Sequence, residues 1–193
     1  PPAAPASGSA AMLQTQPRAQ RPRSIVIWQA LVPVLEAMPA VSAVSPMVAG
    51  AGLALRGEAS RSIALVGVEL ERYDRIVGLR GKVSEGEARL GPGDAILGRD
   101  LASDLGVRVG DRVAVVVAGP GGNVSDSARV TALVDLGVRE LNRRTVIVPL
   151  RAAQSLVGLP GGATNLDLTL ADVWSAAALS EELARRYPYK VES

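Results

Sequence analysis

The stretch LGPGDAILGRDLASDLGVRVGDRV at residues 90–113 decides the fold, because it changes repeatedly from one kind of element to another. Residues 95–97 predict a short apolar strand. Residues 99–105 predict a short helix, which Gly106 ends in the way that glycine commonly ends helices. A turn at 109–111 then leads into the next strand. Such rapid alternation is typical of a β-rich unit with small helices.

A hairpin follows directly. Residues 112–118 and 129–136 predict two strands rich in Val, Ala and Leu. Gly-Pro-Gly-Gly-Asn at 119–123 predicts the turn between them, because Gly and Pro favour the backbone angles of tight turns. A further strand is expected at 144–148 and a short helix at 150–157.

The two ends of the chain predict longer elements. Apolar residues after Trp28 recur with helical spacing, and three leucines near residue 168 alternate with polar residues, as in a half-buried strand. The expected elements are a helix at 28–38, strands at 41–55, 62–70 and 166–170, a helix capped by Asp172 and running to 187, and a final strand starting at 189–191.

These elements predict an α+β fold of two parts. The ends read helix-strand-strand and strand-helix-strand, so residues 24–75 and 160–193 are expected to build one discontinuous subdomain around a shared sheet. Residues 76–159 would then form an inserted, compact, β-rich subdomain. Residues 1–23 are rich in Pro, Ala, Ser, Gln and Arg without an apolar period, which predicts a linker or mobile arm.

Composition excludes several kinds of chemistry. The chain of 193 residues has no Cys and no His, which removes thiol and imidazole catalysis and zinc sites built from those residues. Four carboxylates lie close together in sequence, at Asp94, Asp100, Asp104 and Asp111. Their spacing matches no calcium loop, so we interpret them as turn and surface residues rather than as an acid–base pair or a Mg²⁺ or Ca²⁺ site. The sequence predicts no enzyme, and no catalytic, cofactor-binding or metal-binding residues.

Charge and glycine content indicate neither a nucleic-acid nor a nucleotide site. The net charge is +2, from 21 basic and 19 acidic residues spread along the chain. Gly-rich segments at 50–52, 119–123 and 158–162 lack the pattern of phosphate-binding loops and are interpreted as turns. Trp28 and Trp174 each lie near a predicted helix start and are expected to pack in a core or at the joint between the two parts.

Several motifs, taken in order, resemble one family. The stretch at 90–113, the pattern V-x-A-V-x-P at 41–46 and the pattern V-P-L-x-x-A-Q at 148–154 resemble the extracytoplasmic loop of FtsX-like ABC-transporter permeases. That family includes the LolC/LolE lipoprotein-releasing permeases and the MacB-type permeases. Trp-Gln-Ala-Leu at 28–31 resembles the family's first helix, and the resemblance extends over residues 24–193.

The resemblance implies a ferredoxin-like "porter" subdomain with an inserted β-rich "sabre" subdomain. It also implies the periplasmic, extracytoplasmic side of the bacterial inner membrane, with membrane spans on both sides of the segment. Residues 24–55 carry little charge, but prolines divide them, so we expect a helix and a strand there rather than a span. The implied partners are a cytoplasmic ATPase subunit, reached through the membrane part, and a second permease copy or paralogue.

The hairpin departs from one branch of the family. In LolC the matching hairpin is extended into a hook that captures the periplasmic lipoprotein carrier, whereas the tip here is short and glycine-rich. A lipoprotein substrate and its carrier therefore remain open as partners. Two alternatives also remain: a MacB-type mechanotransmission efflux permease and a stand-alone extracytoplasmic solute-binding protein. The candidate partner-contact residues are Gly119, Pro120, Gly121, Gly122, Asn123 and Val124.

Overall fold

The computed structural model describes residues 24–191. The helices are α1 (Trp28–Glu36), α2 (Leu70–Val77), α3 (Arg99–Leu105), α4 (Arg139–Arg144), α5 (Leu150–Val157) and α6 (Ala176–Arg186), with short 3-10 helices at Leu79–Lys82 and Val173–Ser175. The strands are β1 (Val41–Arg56), β2 (Ala59–Val68), β3 (Val83–Gly86), β4 (Asp94–Gly98), β5 (Arg112–Gly119), β6 (Gly122–Val134), β7 (Thr145–Pro149) and β8 (Asn165–Leu170).

Six strands form a closed circuit, a small barrel. Strand β1 pairs with β2, β2 with β7, β7 with β4, β4 with β6, β6 with β5, and β5 again with β1. The last contact is short, joining residues 53–55 of β1 to residues 114–116 of β5. Closure leaves the barrel strands few free edges, which otherwise invite pairing with other chains.

Aliphatic side chains fill the barrel, because alternate residues of each strand point inward. The chain has no Phe, so Val, Leu and Ile supply this core. Fully buried members from five of the strands are Ile63, Leu65, Leu97, Val113, Val115, Val130 and Val146.

Helices α3 and α5 pack on this core. Leu101 and Leu105 of α3 and Leu150 and Leu156 of α5 belong to the same buried cluster. The approach of α5 is close: a β-carbon added to Gly67 would lie 2.1 Å from the β-carbon of Ala153. Only glycine at that position allows α5 to lie against β2.

The first half of β1 leaves the barrel and pairs antiparallel with β8. Helices α1 and α6 cover one face of this two-stranded sheet. They form a second core, in which Leu31 and Leu35 of α1 meet Leu179 and Leu183 of α6. We call this part the helical layer.

Helix α2 and the segment after it cover a third buried cluster, which contains Leu79, Ile96 and Ile147. Tyr73 of α2 lies near Asp167 of β8 here. Burial raises the pKa of the Tyr73 hydroxyl, and the charge of Asp167 raises it further. Burial also raises the pKa of the Asp167 carboxyl. Both shifts favour the neutral forms of these two side chains.

The pairing of β1 with β8 brings strands from both ends of the chain side by side. Because β1 pairs with β5 and β2 pairs with β7, hydrogen bonding continues between the two expected subdomains. The mixed α+β fold is confirmed, whereas the division into 24–75 with 160–193 and an inserted 76–159 stays a prediction. Residues 1–23, the predicted linker or arm, lie outside the described residues.

Four elements differ from the expectation. Helix α2 begins at Leu70, where a strand was expected, because β2 ends at Val68 and the segment LERYDRIV has a charged face that helix geometry exposes. Strand β3 lies within residues 78–94, which their Gly and charge content predicts to be a loop, and helix α4 occupies a segment for which no element was predicted. The expected strand at 189–191 is not formed, although Tyr189 and Val191 do pack on the helical layer.

Candidate partner-contact surface

The hairpin tip is built by β5 and β6. Their ladder runs from the pair Arg112–Arg129 to the pair Gly119–Gly122, and Pro120 and Gly121 form the two-residue turn. Pro120 has a φ angle fixed by its ring. Gly122 has φ +117°, a backbone conformation that glycine adopts more readily than other residues. Of the six candidate contact residues, Gly119 is half-buried and the other five are exposed, including the Val124 side chain at 42%.

The two strands of the hairpin differ in burial. Val113, Val115 and Val117 of β5 point into the barrel, whereas residues 122–127 of β6 are exposed on both faces. On the side away from β5, pairing within the described chain starts only where the Arg129 N–H donates to the Gly93 carbonyl at 2.7 Å. The outer half of β6 is therefore an open strand edge beside the tip.

Two arginines face each other at the base of the hairpin. Arg112 and Arg129 are directly opposed across the ladder, both are exposed, and neither has an ion-pair partner within residues 24–191. Like charges in that position cost stability. Arg56 contacts the backbone of this region, donating to the Arg112 carbonyl at 2.8 Å and pairing with Asp111 at 3.5 Å. Sequence reasoning missed this arginine pair, because it depends on the register that the two-residue turn sets.

An open cleft of about 300 Å³ lies beside Arg129. Arg89 and Glu87 stand on its wall, and Val109, Gly110 and Thr131 line it. The backbone N–H groups of Gly110 and Arg129 already donate to Val130 and Gly93 carbonyls. The Arg89 guanidinium pairs with Asp94 at 3.4 Å, so the cleft carries both signs of charge and offers no cradle of free amides.

The four clustered carboxylates have local partners. Asp94 accepts from the Gly91 N–H at 2.9 Å, and Asp111 accepts from the Arg108 N–H at 2.9 Å, so both stabilise turns. Asp100 lies 3.6 Å from Arg99, and Asp104 lies 3.8 Å from Arg61. Within residues 24–191 no group of three Asp or Glu side chains converges as metal ligands would.

The two tryptophans have different environments. Trp28 packs against both the barrel core and the helical layer, and its indole N–H donates to the Gly161 carbonyl at 2.9 Å. It therefore lies at the joint, as expected. The expectation for Trp174 is wrong, because its side chain is 89% exposed. Asp172 caps the 3-10 helix by accepting from the Trp174 N–H, and Trp174 is not a member of the helical layer's core.

The family model for the MacB-like periplasmic core domain matches residues 3–186. This chain belongs to that family. It is an extracytoplasmic domain of a MacB/Lol-like ABC-transporter permease, a family of non-catalytic periplasmic domains. None of the helices within residues 24–191 is long and apolar enough to cross a bilayer.

Individual relatives agree with the family. The chain is 27% identical over 187 residues to the lipoprotein-releasing system transmembrane protein LolE of Haemophilus influenzae, covering 92% of this chain and 44% of that protein. It is 30% identical over 175 residues to LolC of Xylella fastidiosa, covering 85% of this chain and 42% of that protein. The chain thus spans less than half the length of these relatives.

Solved structures share the fold. The extracellular domain of the noncanonical ABC-type transporter YknZ from Gram-positive bacteria matches with a TM-score of 0.63 at 17% identity, covering 84% of this chain and 87% of that one. The periplasmic region of MacB from Actinobacillus actinomycetemcomitans matches with a TM-score of 0.59 at 15% identity, covering 84% and 75%.

Proposed function

We propose that this MacB-like periplasmic core domain couples ATP hydrolysis by a cytoplasmic ATPase to the release of lipoproteins on the extracytoplasmic side. The observation that carries the proposal is the similarity to LolE and LolC over more than four-fifths of the chain. The domain contributes contacts with substrate and partners and no chemistry of its own. It works with a second permease copy or paralogue.

Strand β1 gives the coupling a physical route. Its 16 residues extend over about 50 Å at the usual rise per residue. One half pairs with β8 in the helical layer, and the other half closes the barrel against β5. A force on the helical layer is passed along this continuous hydrogen-bonded strand to β5, the first strand of the hairpin. In this proposal residues 24–75 with 160–193, which contain the helical layer, are the porter, and residues 76–159, which contain the hairpin, are the sabre.

The hairpin is the proposed partner-contact surface. Its tip, residues 119–124, is rich in glycine and offers little side-chain area, whereas specific interfaces bury about 800 Å² on each partner. The tip alone is therefore too small to hold a carrier tightly. Arg112 and Arg129 at the base add two charges that have no ion-pair partner among residues 24–191, and they favour an acidic partner surface.

The short tip also supports a second candidate function. Pro120 and Gly121 form a turn of only two residues, so the hairpin lacks a long protrusion that could enclose a carrier. Export of another substrate, with the domain acting as a mechanical transmitter, fits this feature. The experiment that follows separates the two candidates, because only lipoprotein release requires a lipoprotein carrier.

The test uses the complete permease with its ATPase in proteoliposomes loaded with a lipoprotein. We expect ATP-dependent transfer to the host's soluble carrier, and a loss of about tenfold in Arg112→Gln/Arg129→Gln with ATP hydrolysis retained, since interface charges act on partner binding. Asn123→Ala/Val124→Ser should change transfer less than the arginine variant does.

The matched control is Arg139→Gln/Arg151→Gln, which removes two exposed arginines elsewhere on the domain. An equal loss in this control would refute the arginine contact. If the unmodified complex hydrolyses ATP but transfers no lipoprotein, lipoprotein release is refuted and the second candidate gains support.

A further inference from the structure

The outer edge of β6 carries backbone groups that no described strand pairs with. Successive residues of a strand point their N–H and C=O groups alternately to the two sides. The Val130 carbonyl accepts from the Gly110 N–H on the β5 side. The Arg129 N–H donates to the Gly93 carbonyl on the other side, so the odd-numbered residues of β6 face away from β5. Within residues 24–191 no strand lies beside three of them, Asn123, Ser125 and Ser127.

Most of these groups are open to a partner. The Ser127 N–H already donates to the Asp126 carboxylate at 2.8 Å. The N–H groups of Asn123 and Ser125, and the carbonyls of all three residues, make no hydrogen bond within residues 24–191. Edge strands are commonly protected by Lys, Pro or a bulge. Residues 122–128 contain neither Lys nor Pro, and their register with β5 is regular, so the edge can accept another strand.

Strand β4 stops pairing with β6 at this edge for a local reason. Gly93 has φ +80°, which turns the chain, and Pro92 has no N–H to donate. Strand β4 therefore does not continue along the outer half of β6. Residues 122–127 are exposed on both faces. An added strand would continue the line of β4 along this edge.

The charges near this edge favour an acidic partner. Ser127 and Arg129 point to the same face of β6, and Asp126 points to the other, because side chains alternate along a strand. A residue paired with Ser127 on an added strand would lie diagonal to Arg129, at a separation that a long side chain can bridge. Arg129 has no ion-pair partner within residues 24–191 and lies opposite Arg112. A glutamate at that place would offset the repulsion between the two arginines.

We propose that the outer edge of β6 binds an extended, acidic segment of a partner protein by β-strand addition. In this mode main-chain hydrogen bonds supply affinity, and the side chains beside them supply specificity. Charge complementarity selects this occupant over a second copy of the chain. Two β6 edges paired about Ser125 would place Asn123, which carries no charge, opposite Ser127. The inference rests on the proposed function and specifies the kind of partner that the hairpin binds.

The first test is hydrogen exchange of the 193-residue chain, followed by NMR, with the peptide acetyl-Glu-Thr-Val-Thr-Val-amide as the probe. Antiparallel to β6, this peptide sets its glutamate against Ser127 and its valines against Ser125 and Asn123. Without peptide, the Asn123 and Ser125 amides should exchange quickly and the Val124 amide, which faces β5, slowly. With millimolar peptide we expect exchange at Asn123 and Ser125 to slow by at least about tenfold.

Two results of this experiment would overturn the proposal. One is unchanged exchange at Asn123 and Ser125 in the presence of the peptide. The other is protection of these amides that exists without peptide and grows with protein concentration, because the edge would then be an interface between copies.

Modified peptides test the main-chain contacts. Methylation of the valine nitrogens removes the N–H groups that face β6 and should abolish binding. Methylation of the threonine nitrogens, which face away from β6, should leave binding in place. Equal loss with both peptides would contradict strand addition.

A glutamine peptide tests the charge contact. With glutamine in place of its glutamate, the peptide should bind about threefold more weakly, since exposed ion pairs contribute little. Arg129→Gln should remove this difference between the two peptides. Arg151→Gln, which changes an exposed arginine elsewhere, should keep it. A difference that survives in Arg129→Gln would contradict the acidic character of the partner.

The complete permease separates this inference from the proposed function. Ser125→Pro removes an N–H that makes no bond to β5, and proline is tolerated on edge strands, so the fold should persist. We expect lipoprotein transfer to decrease about tenfold in Ser125→Pro and to stay unchanged in Ser125→Ala, with ATP hydrolysis retained in both. Normal transfer by Ser125→Pro would refute strand addition and leave lipoprotein release standing. If the unmodified complex transfers no lipoprotein, the proposed function fails, and the peptide experiment still decides the inference.

Discussion

Gly52→Ala is expected to lower the free energy of unfolding by about 3 kcal/mol, because it overpacks the contact that closes the barrel. A β-carbon at Gly52 would lie 2.3 Å from the Val116 carbonyl oxygen and 3.2 Å from a methyl group of Val117. The obstructing atom belongs to the backbone of a paired strand, so a side-chain rotation cannot relieve the clash. Relief requires β5 to move away from β1.

Gly81→Ala is the matched control for this substitution. A β-carbon at Gly81 would meet nothing within 4 Å, and its backbone is not left-handed. Gly81→Ala should change the free energy of unfolding by no more than about 0.5 kcal/mol, as most surface substitutions do. The measurement is urea unfolding followed by circular dichroism. Similar midpoints for the two variants would mean that β1 and β5 do not meet as described.

Asn142→Asp is expected to destabilise the protein strongly at neutral pH and much less near pH 4. Asn142 is buried, its amide oxygen accepts from the Leu136 N–H at 2.7 Å, and its amide nitrogen donates to Asp135 at 2.9 Å. This hydrogen bond is the main reason why the pKa of the Asp135 carboxyl is lowered. The Gly137 N–H and the charge of Arg99 lower it further. An aspartate at position 142 would replace the donor with a second carboxylate.

The sign of the pH effect follows from that arrangement. In the unmodified chain the lowered pKa of Asp135 contributes stability above the ordinary carboxyl pKa, and the contribution is lost as pH falls through the folded-state pKa. In Asn142→Asp the two carboxylates share one site, so one takes up a proton at higher pH than usual and the pair then regains its hydrogen bond.

Asn142→Ala provides the comparison for Asn142→Asp. It leaves the Leu136 N–H without its acceptor, which should cost about 2 kcal/mol. Because alanine does not titrate, this loss should vary less with pH than that of the aspartate variant. Thermal unfolding from pH 4 to pH 8 should show Asn142→Asp below Asn142→Ala at neutral pH and above it near pH 4. Parallel profiles would contradict the carboxylate pair.

Local chemistry explains which parts of the fold could be predicted from sequence. Gly119 and Gly122 flank a turn whose geometry is set by its own residues, so the hairpin could be predicted from the sequence. Gly106, in the left-handed conformation, ends α3 at the expected residue. These signals act over a few residues and need no knowledge of distant contacts.

Long-range pairing explains what was missed. Closure of the barrel depends on the pairing of β5 with β1. The two strands are separated by about sixty residues, and no local sequence pattern in either one indicates that they pair. The opposition of Arg112 and Arg129 needs the register of the whole hairpin. Trp174 was expected to be buried because tryptophan usually is, and its exposure follows from where α6 begins. Each of these features depends on tertiary contacts that no local pattern contains.

The most direct test of the account is the side of the membrane on which the hairpin lies in the complete permease. The described chain has no Cys, so Ser125→Cys places a single thiol in it, on the exposed strand of the hairpin, while Val115→Cys places one in the barrel core. In a permease whose remaining cysteines have been replaced by serine, we expect a membrane-impermeant maleimide to label Ser125→Cys in intact spheroplasts and to leave Val115→Cys and the parent permease unlabelled. Labelling of Ser125→Cys only after lysis would contradict an extracytoplasmic domain that contacts partners through its hairpin.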